Sequence, residues 1–137
     1  MSWKDKYMDI SYRDRGRGYE GCDCWGLVWL VYRDTLDTPV SSFVDDYDTS
    51  INVPPTIVSG RTHDWVELPV DDLSDFRQFD VLLFTVMGRF HTGIVSDPRR
   101  RIMLHVRDID CKVSEVAYTS INWRHRLDGR LRHVSRA

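Results

Sequence analysis

The chain has 137 residues, of which 42% are apolar, including five Trp and six Tyr; this is enough apolar surface to offset the entropy of ordering one core, and it excludes a disordered chain. A net charge of −2 argues against a protein built mainly to hold nucleic acid, and the run Arg99, Arg100, Arg101 reads as a solvated turn. No stretch nears the ~20 apolar residues of a membrane helix and the start MSWKDKYMDI lacks a signal-peptide apolar region, so synthesis in the cytosol without membrane insertion is expected.

One domain over residues 1–137 is expected from this length. Up to Gly21, glycines interleaved with Arg13, Asp14, Arg15 and Arg17 suggest a loop hugging a structured element, with no long helix. Asp23 then precedes CWGLVWLVYRDTL, apolar nearly all round, which predicts a buried helix over 24–36 with Asp23 as its N-cap. Residues 37–79 are acidic, broken by prolines and hard to read, with a short helix near 42–50 as one option. From Asp80 the segments DVLLFTV, FHTGIVS, RIMLHV and KVSEVAY predict an antiparallel meander of short strands. INWRHRLDGRLRHV predicts a helical turn around Trp123 and a closing strand after Gly129. The order of elements, one helix followed by a sheet, defines an α+β domain with the helix packed on one face of the sheet.

Cys24 would open the buried helix, where unpaired N–H groups and the helix dipole favour a thiolate. Two of the five histidines suit it as partners. His91 starts the strand HTGIV and His105 ends RIMLHV, so in a hairpin they would lie across from each other. Alternation puts both rings on one face only if the connecting loop holds an odd number of residues, and an even loop would separate them. On a shared face, His91 could take the thiol proton while His105 orients it, as in a catalytic triad.

YEGCDCWGLVWLVYRD resembles the segment around the nucleophile in NlpC-type, papain-like cysteine peptidases. FDVLLFTVMGRFHTGIVSDPRRRIMLHV resembles that family's later signature of an Asp-led strand, His-x-Gly-Ile and a strand ending in His. The resemblance implies a papain-like fold with Cys24, His91 and His105 as a catalytic triad, Tyr12 near the oxyanion or substrate, and Asp23 as helix cap first and contact to a substrate amine second. It implies cleavage of peptidoglycan stem peptides next to a D-glutamyl residue linked to a diamino acid, with no cofactor or metal. Two departures stand out: Trp25 replaces the usual Ser after the cysteine, and Phe79 replaces the Gly before Asp80. The Cys-Trp-Gly version also resembles tail-tip proteins of tailed phages and gene-transfer agents, which implies tail-tip or hub partners and a virion location.

Three rivals compete with this reading. Cys22, Cys24 and Cys111 with a histidine could bind zinc, although structural zinc sites usually space their cysteines more widely. A structural tail-tip component could keep the fold with little activity, and an amidase or transferase could use the same residues, because a fold does not fix a reaction. Cys22 also competes with Cys24 as nucleophile, while Cys111, placed in a strand, reads as an inert thiol with pairing to Cys22 left open.

Overall fold

The computed structural model describes residues 2–45, 64–108 and 110–137. Helix α1 spans Cys24–Asp34, and Asp23 caps it by accepting the Gly26 N–H at 2.7 Å. Two residues expected in the helix, Thr35 and Leu36, leave it because Asp37 takes φ +48. The Thr38 N–H then bonds back to the Tyr32 carbonyl at 2.8 Å, a Schellman-type close ahead of Pro39. Residues 42–45 are not helical, and the rest of the helix considered there lies outside the described residues.

Before α1, a 3-10 turn at Trp3–Tyr7 leads to the two-residue strands β1 (Arg17–Gly18) and β2 (Gly21–Cys22), which form a small hairpin. This hairpin is the loop expected to hug a structured element, and that element is α1, against which it lies closely. A Cβ on Gly26 would sit 2.1 Å from the Gly16 carbonyl oxygen, so only glycine permits the contact.

The remaining strands are β3 (Trp65–Leu68), β4 (Val81–Val86), β5 (Arg89–Asp97), β6 (Ile102–His105), β7 (Ser114–Ala117) and β8 (Leu127–His133). They form one antiparallel sheet in the order β3-β8-β4-β5-β6-β7. The predicted meander is β4 to β7. The closing strand does not extend it but returns to pair with β4 on the other side, and there it recruits β3, an edge strand that the acidic 37–79 stretch does not advertise. Cys111 lies in the turn before β7 rather than in a strand, half-buried, with its thiol donating to Asp108 Oδ1 at 3.4 Å.

Alternation divides the sheet between two cores. Val81, Leu83, Ile94, Leu104 and Leu131 pack with Leu27, Val28, Leu30 and Val31 of α1, each fully buried side chain contributing about 1.5–3 kcal/mol. Leu82, Phe84, Val95 and Met103 face the other way, under Phe76, Tyr118 and Trp123. Trp25 points into the helix-side core, its ring against Trp65 and Phe43 and its indole N–H donating to the Ser41 carbonyl at 3.0 Å. That residue therefore anchors the chain after α1, a task the smaller Ser of the resembling motif could not perform.

Phe79, which stands where the motif has Gly, has φ +74, a conformation that glycine adopts freely and other residues at a cost. Its ring packs on Trp3 at 4.8 Å and under the Arg136 guanidinium at 4.9 Å. The buried contacts of the ring offset the strain of its backbone.

Candidate active site

Asp23 is 1% exposed, and both of its carboxylate oxygens are engaged. Oδ1 accepts from Gly26 N–H and from Arg17 Nη1 at 2.8 Å, while Oδ2 accepts from Arg15 N–H at 3.1 Å. The helix start is thereby tied to the β1–β2 hairpin, and the capping role expected of Asp23 is what its contacts describe. Tyr12 sits beside this point. Its hydroxyl donates to Asp14 Oδ1 at 2.7 Å, and burial together with that carboxylate pushes its pKa up, so the phenol keeps its proton.

Cys24 is 1% exposed. The helix start was expected to favour a thiolate, but burial and then the Asp23 carboxylate push the thiol up to about 12, and contacts to Thr92 and the Trp25 backbone only partly oppose them. Desolvation penalises the charged form more than the first helical turn stabilises it. At neutral pH the sulfur is a thiol. Cys22, fully buried in β2, is likewise raised to about 12, by burial and then Asp23, so protonation state does not separate the two cysteines; position does, because only Cys24 opens the helix and lies against β5.

His91 and His105 meet with His91 Nε2 3.0 Å from His105 Nδ1. The route to this contact differs from the simple hairpin. The pair Asp97↔Ile102 leaves Pro98, Arg99, Arg100 and Arg101 in the loop, an even number, which alone would send the rings to opposite faces. A bulge at Ser96 shifts the register so that Val95 pairs with Met103 and Ile94 with Leu104. Continued one step, this register sets His105 opposite Gly93, so the rings lie diagonally on one face rather than directly across. Gly93 leaves the space: a Cβ there would come 2.4 Å from Met103 Sδ.

Trp123 covers the pair. Its ring stacks on His91 at 5.1 Å and stands edge-on to His105 at 5.0 Å, with the Arg107 guanidinium 5.8 Å above it. Burial, then His105 and Arg107, holds His91 well below the usual imidazole range; burial, then Arg107, brings His105 down to about 4. Both rings are neutral at pH 7. The bond between them uses His91 Nε2, and His91 Nδ1 is buried with no hydrogen-bond partner among the described residues. Thr92, the next residue, faces α1 and touches the Cys24 thiol, whereas the His91 ring lies on the other face of β5 with Phe84 and Trp123 and makes no hydrogen bond to that thiol.

The structure therefore joins His91 to His105 directly, sets Cys24 against Thr92 on the opposite face of β5 from the His91 ring, and keeps Tyr12 and Asp23 at the start of α1. The sequence reading does not anticipate Thr92, Trp123 or Arg107 as parts of the site. Thr92 carries a legible signal, since it follows His91 and must face the opposite way. Trp123 and Arg107 come from turns and carry none. Among the described residues, no three His, Cys, Asp or Glu side chains converge in a way that could hold a metal ion, so the zinc alternative finds no donor set there.

This helix-on-sheet architecture has solved counterparts. The chain superposes on an NlpC/P60 family protein from Bacillus cereus ATCC 10987 with a TM-score of 0.62 at 16% identity, covering 93% of this chain and 37% of that one. It matches the NlpC/p60 domain of the peptidoglycan hydrolase SagA with a TM-score of 0.63 at 16% identity, covering 93% and 90%. A lipoprotein-like NLP/P60 family protein from Staphylococcus aureus subsp. aureus Mu50 matches with a TM-score of 0.63 at 18% identity, covering 93% and 37%. The chain thus spans little more than a third of two of these proteins and nearly all of the isolated domain. No family model and no curated protein matches the sequence. The fold is the α+β fold of NlpC/P60 domains.

Proposed function

We propose that the protein is a cysteine peptidase of the bacterial cell wall in which Cys24 is the nucleophile, His91 the base and His105 the residue that orients it. The observation that carries this reading is the His91–His105 bond, with the Cys24 thiol against Thr92, the residue next to His91 in β5. The fold shared with the SagA domain, described as part of a peptidoglycan hydrolase, supports the cell-wall assignment.

In this chemistry the resting state is a thiol and a neutral imidazole. For reaction the Cys24 thiol and the His91 ring, which rest on opposite faces of β5, come together; the thiol gives its proton to His91 Nδ1 and attacks a peptide carbonyl. The imidazolium then donates from Nε2 to His105 Nδ1, which fixes ring orientation and stabilises the charge. The Cys24 N–H at the head of α1, with Tyr12 nearby, supports the developing oxyanion. The protonated His91 returns its proton to the leaving amine, and water hydrolyses the thioester. The substrate is a peptidoglycan stem peptide cut next to a D-glutamyl residue bonded to a diamino acid, and the Cys24-Trp25-Gly26 resemblance supports a phage-like tail tip, among tail-tip or hub partners, as the place of action.

A second reading, a structural tail-tip component with little activity, is favoured by the covered, protonated thiol. Digestion of purified peptidoglycan by wild type and Cys24→Ala, with products identified by mass spectrometry, decides between the two. New stem-peptide fragments from wild type alone support the peptidase; none from either folded protein supports the structural role.

A further inference from the structure

Thr92 is a polar exception in the layer that the sheet turns towards α1. Leu83, which pairs with it across β4, and Ile94 and Leu104 beside it are aliphatic members of the helix-side core. Thr92 is fully buried, and its Oγ1 has no hydrogen-bond partner among the described residues. A valine has the same shape and the same preference for a strand, so packing does not require the hydroxyl. Burying it unmatched costs stability. What lies against this side chain is the Cys24 sulfur, which the Trp25 and Thr92 backbones also reach. A thiol is a weak acceptor and a thiolate a strong one. An unmatched donor beside a sulfur that can become charged is a group whose partner appears only during reaction.

We propose that Thr92 is a further residue of the reaction, whose hydroxyl donates to the Cys24 sulfur once that sulfur is charged and so lowers the cost of forming the nucleophile at a buried site. The thiol proton leaves for the base, and Thr92 keeps its own. The hydroxyl opposes the two influences that resist the charge, burial and the Asp23 carboxylate. Around the sulfur, Asp23 is held by Arg17, the Tyr12 hydroxyl donates to Asp14, Cys22 stays a thiol, and the His91 ring lies across the strand on His105. The proposal deepens the peptidase reading and rests on it for treating Cys24 as the nucleophile.

The test compares the full wild-type chain with Thr92→Val, which keeps the shape and loses the donor, and with Thr92→Ser, which keeps the donor and loses the methyl. Alkylation of Cys24 by iodoacetamide is followed between about pH 7 and 9, the modified cysteine being identified by peptide fragmentation in a mass spectrometer. Thr92→Val is expected to react about tenfold more slowly throughout this range, the worth of a hydrogen bond to a charged acceptor, while Thr92→Ser stays within about threefold of wild type. Thr92→Val should also unfold at an equal or higher urea concentration, because it no longer buries an unmatched hydroxyl. Equal rates in Thr92→Val and wild type, or a Thr92→Ser variant as slow as Thr92→Val, overturn the role. So does a Cys24 that stays unmodified in all three proteins, and a lowered urea midpoint in Thr92→Val overturns it by assigning the loss to packing. Digestion of peptidoglycan separates this from the parent reading. Cleavage by Thr92→Val at the wild-type rate rejects the role of Thr92 and keeps the peptidase. The alkylation contrast with no cleavage by wild type supports the donor and rejects the peptidase.

Discussion

Two polar clusters are buried in the same sheet, and they are completed to different degrees. Asp80, at the head of β4, is 2% exposed and accepts from Arg130 Nη1 at 2.9 Å, from Arg132 Nε and Nη2 at 2.8 Å and from the Arg77 N–H at 3.0 Å. Arg130, with no exposed surface, spends its other donors on Asp75 and the Pro69 carbonyl. The His91–His105 pair is as deeply buried but holds no charge, and one of its nitrogens is left open. A cluster whose donors and acceptors are all matched holds the fold, whereas one with a covered, unmatched nitrogen keeps chemical potential for a reaction.

The largest test of this contrast is Asp80→Ala. It removes the buried carboxylate that two guanidinium groups share, leaving Arg130 on Asp75 and the Pro69 carbonyl and Arg132 on the Asp75 carbonyl, and should cost about 3–5 kcal/mol in urea denaturation. A loss below about 1 kcal/mol would mean that the arginines find water and that the cluster is not structural. His91→Gln, by comparison, should abolish cleavage with little change in the denaturation midpoint.

Acid is the next largest perturbation. His105 titrates near 4 in the folded chain and near 6.5 unfolded, so between those values the unfolded state binds the extra proton. Stability is therefore full above pH 6.5 and declines as pH falls towards 4, by an amount on the order of 3 kcal/mol from this residue. His91, shifted in the same direction, adds to the decline. Denaturation curves at pH 7, 5.5 and 4 should show it, and His105→Gln should flatten part of the slope. An unchanged slope in that variant would remove His105 from the account.

Gly93→Ala is expected to cost about 1–3 kcal/mol, because the new methyl meets Met103 Sδ beneath His105. Its kcat should fall, since the imidazole pair moves. The smallest effect is at Phe79. There Phe79→Gly should be more stable than Phe79→Ala by about 1 kcal/mol in thermal or urea melts, reversing the usual order of these residues, because φ is +74. Both should be less stable than wild type, having lost the ring packed on Trp3.

Much of the site was legible in the sequence. Asp23 before a run of apolar residues predicts the start of α1 and puts Cys24 at its first position, because capping depends on atoms a few residues apart. Alternation in 80–118 predicts β4 to β7, because a strand half-covered by core repeats every second residue. The motif around Asp80 was legible as a pattern, yet its partners were not, since Arg130 and Arg132 reach it only because β8 turns back beside β4. Trp123 was read as the centre of a turn; its position over two histidines depends on how that turn lies on the far face of the sheet.

The sequence by itself determined which residues could react and the local elements that carry them: Cys24 at a capped helix start, His91 and His105 on neighbouring strands. Only the tertiary structure decided that these histidines meet, since an even loop would part them and the Ser96 bulge restores their common face. It also decided that thiol and imidazoles are neutral at rest. Register and protonation are set by competition among segments far apart in the chain and by the depth at which they bury one another, and neither quantity is written in any short stretch of residues.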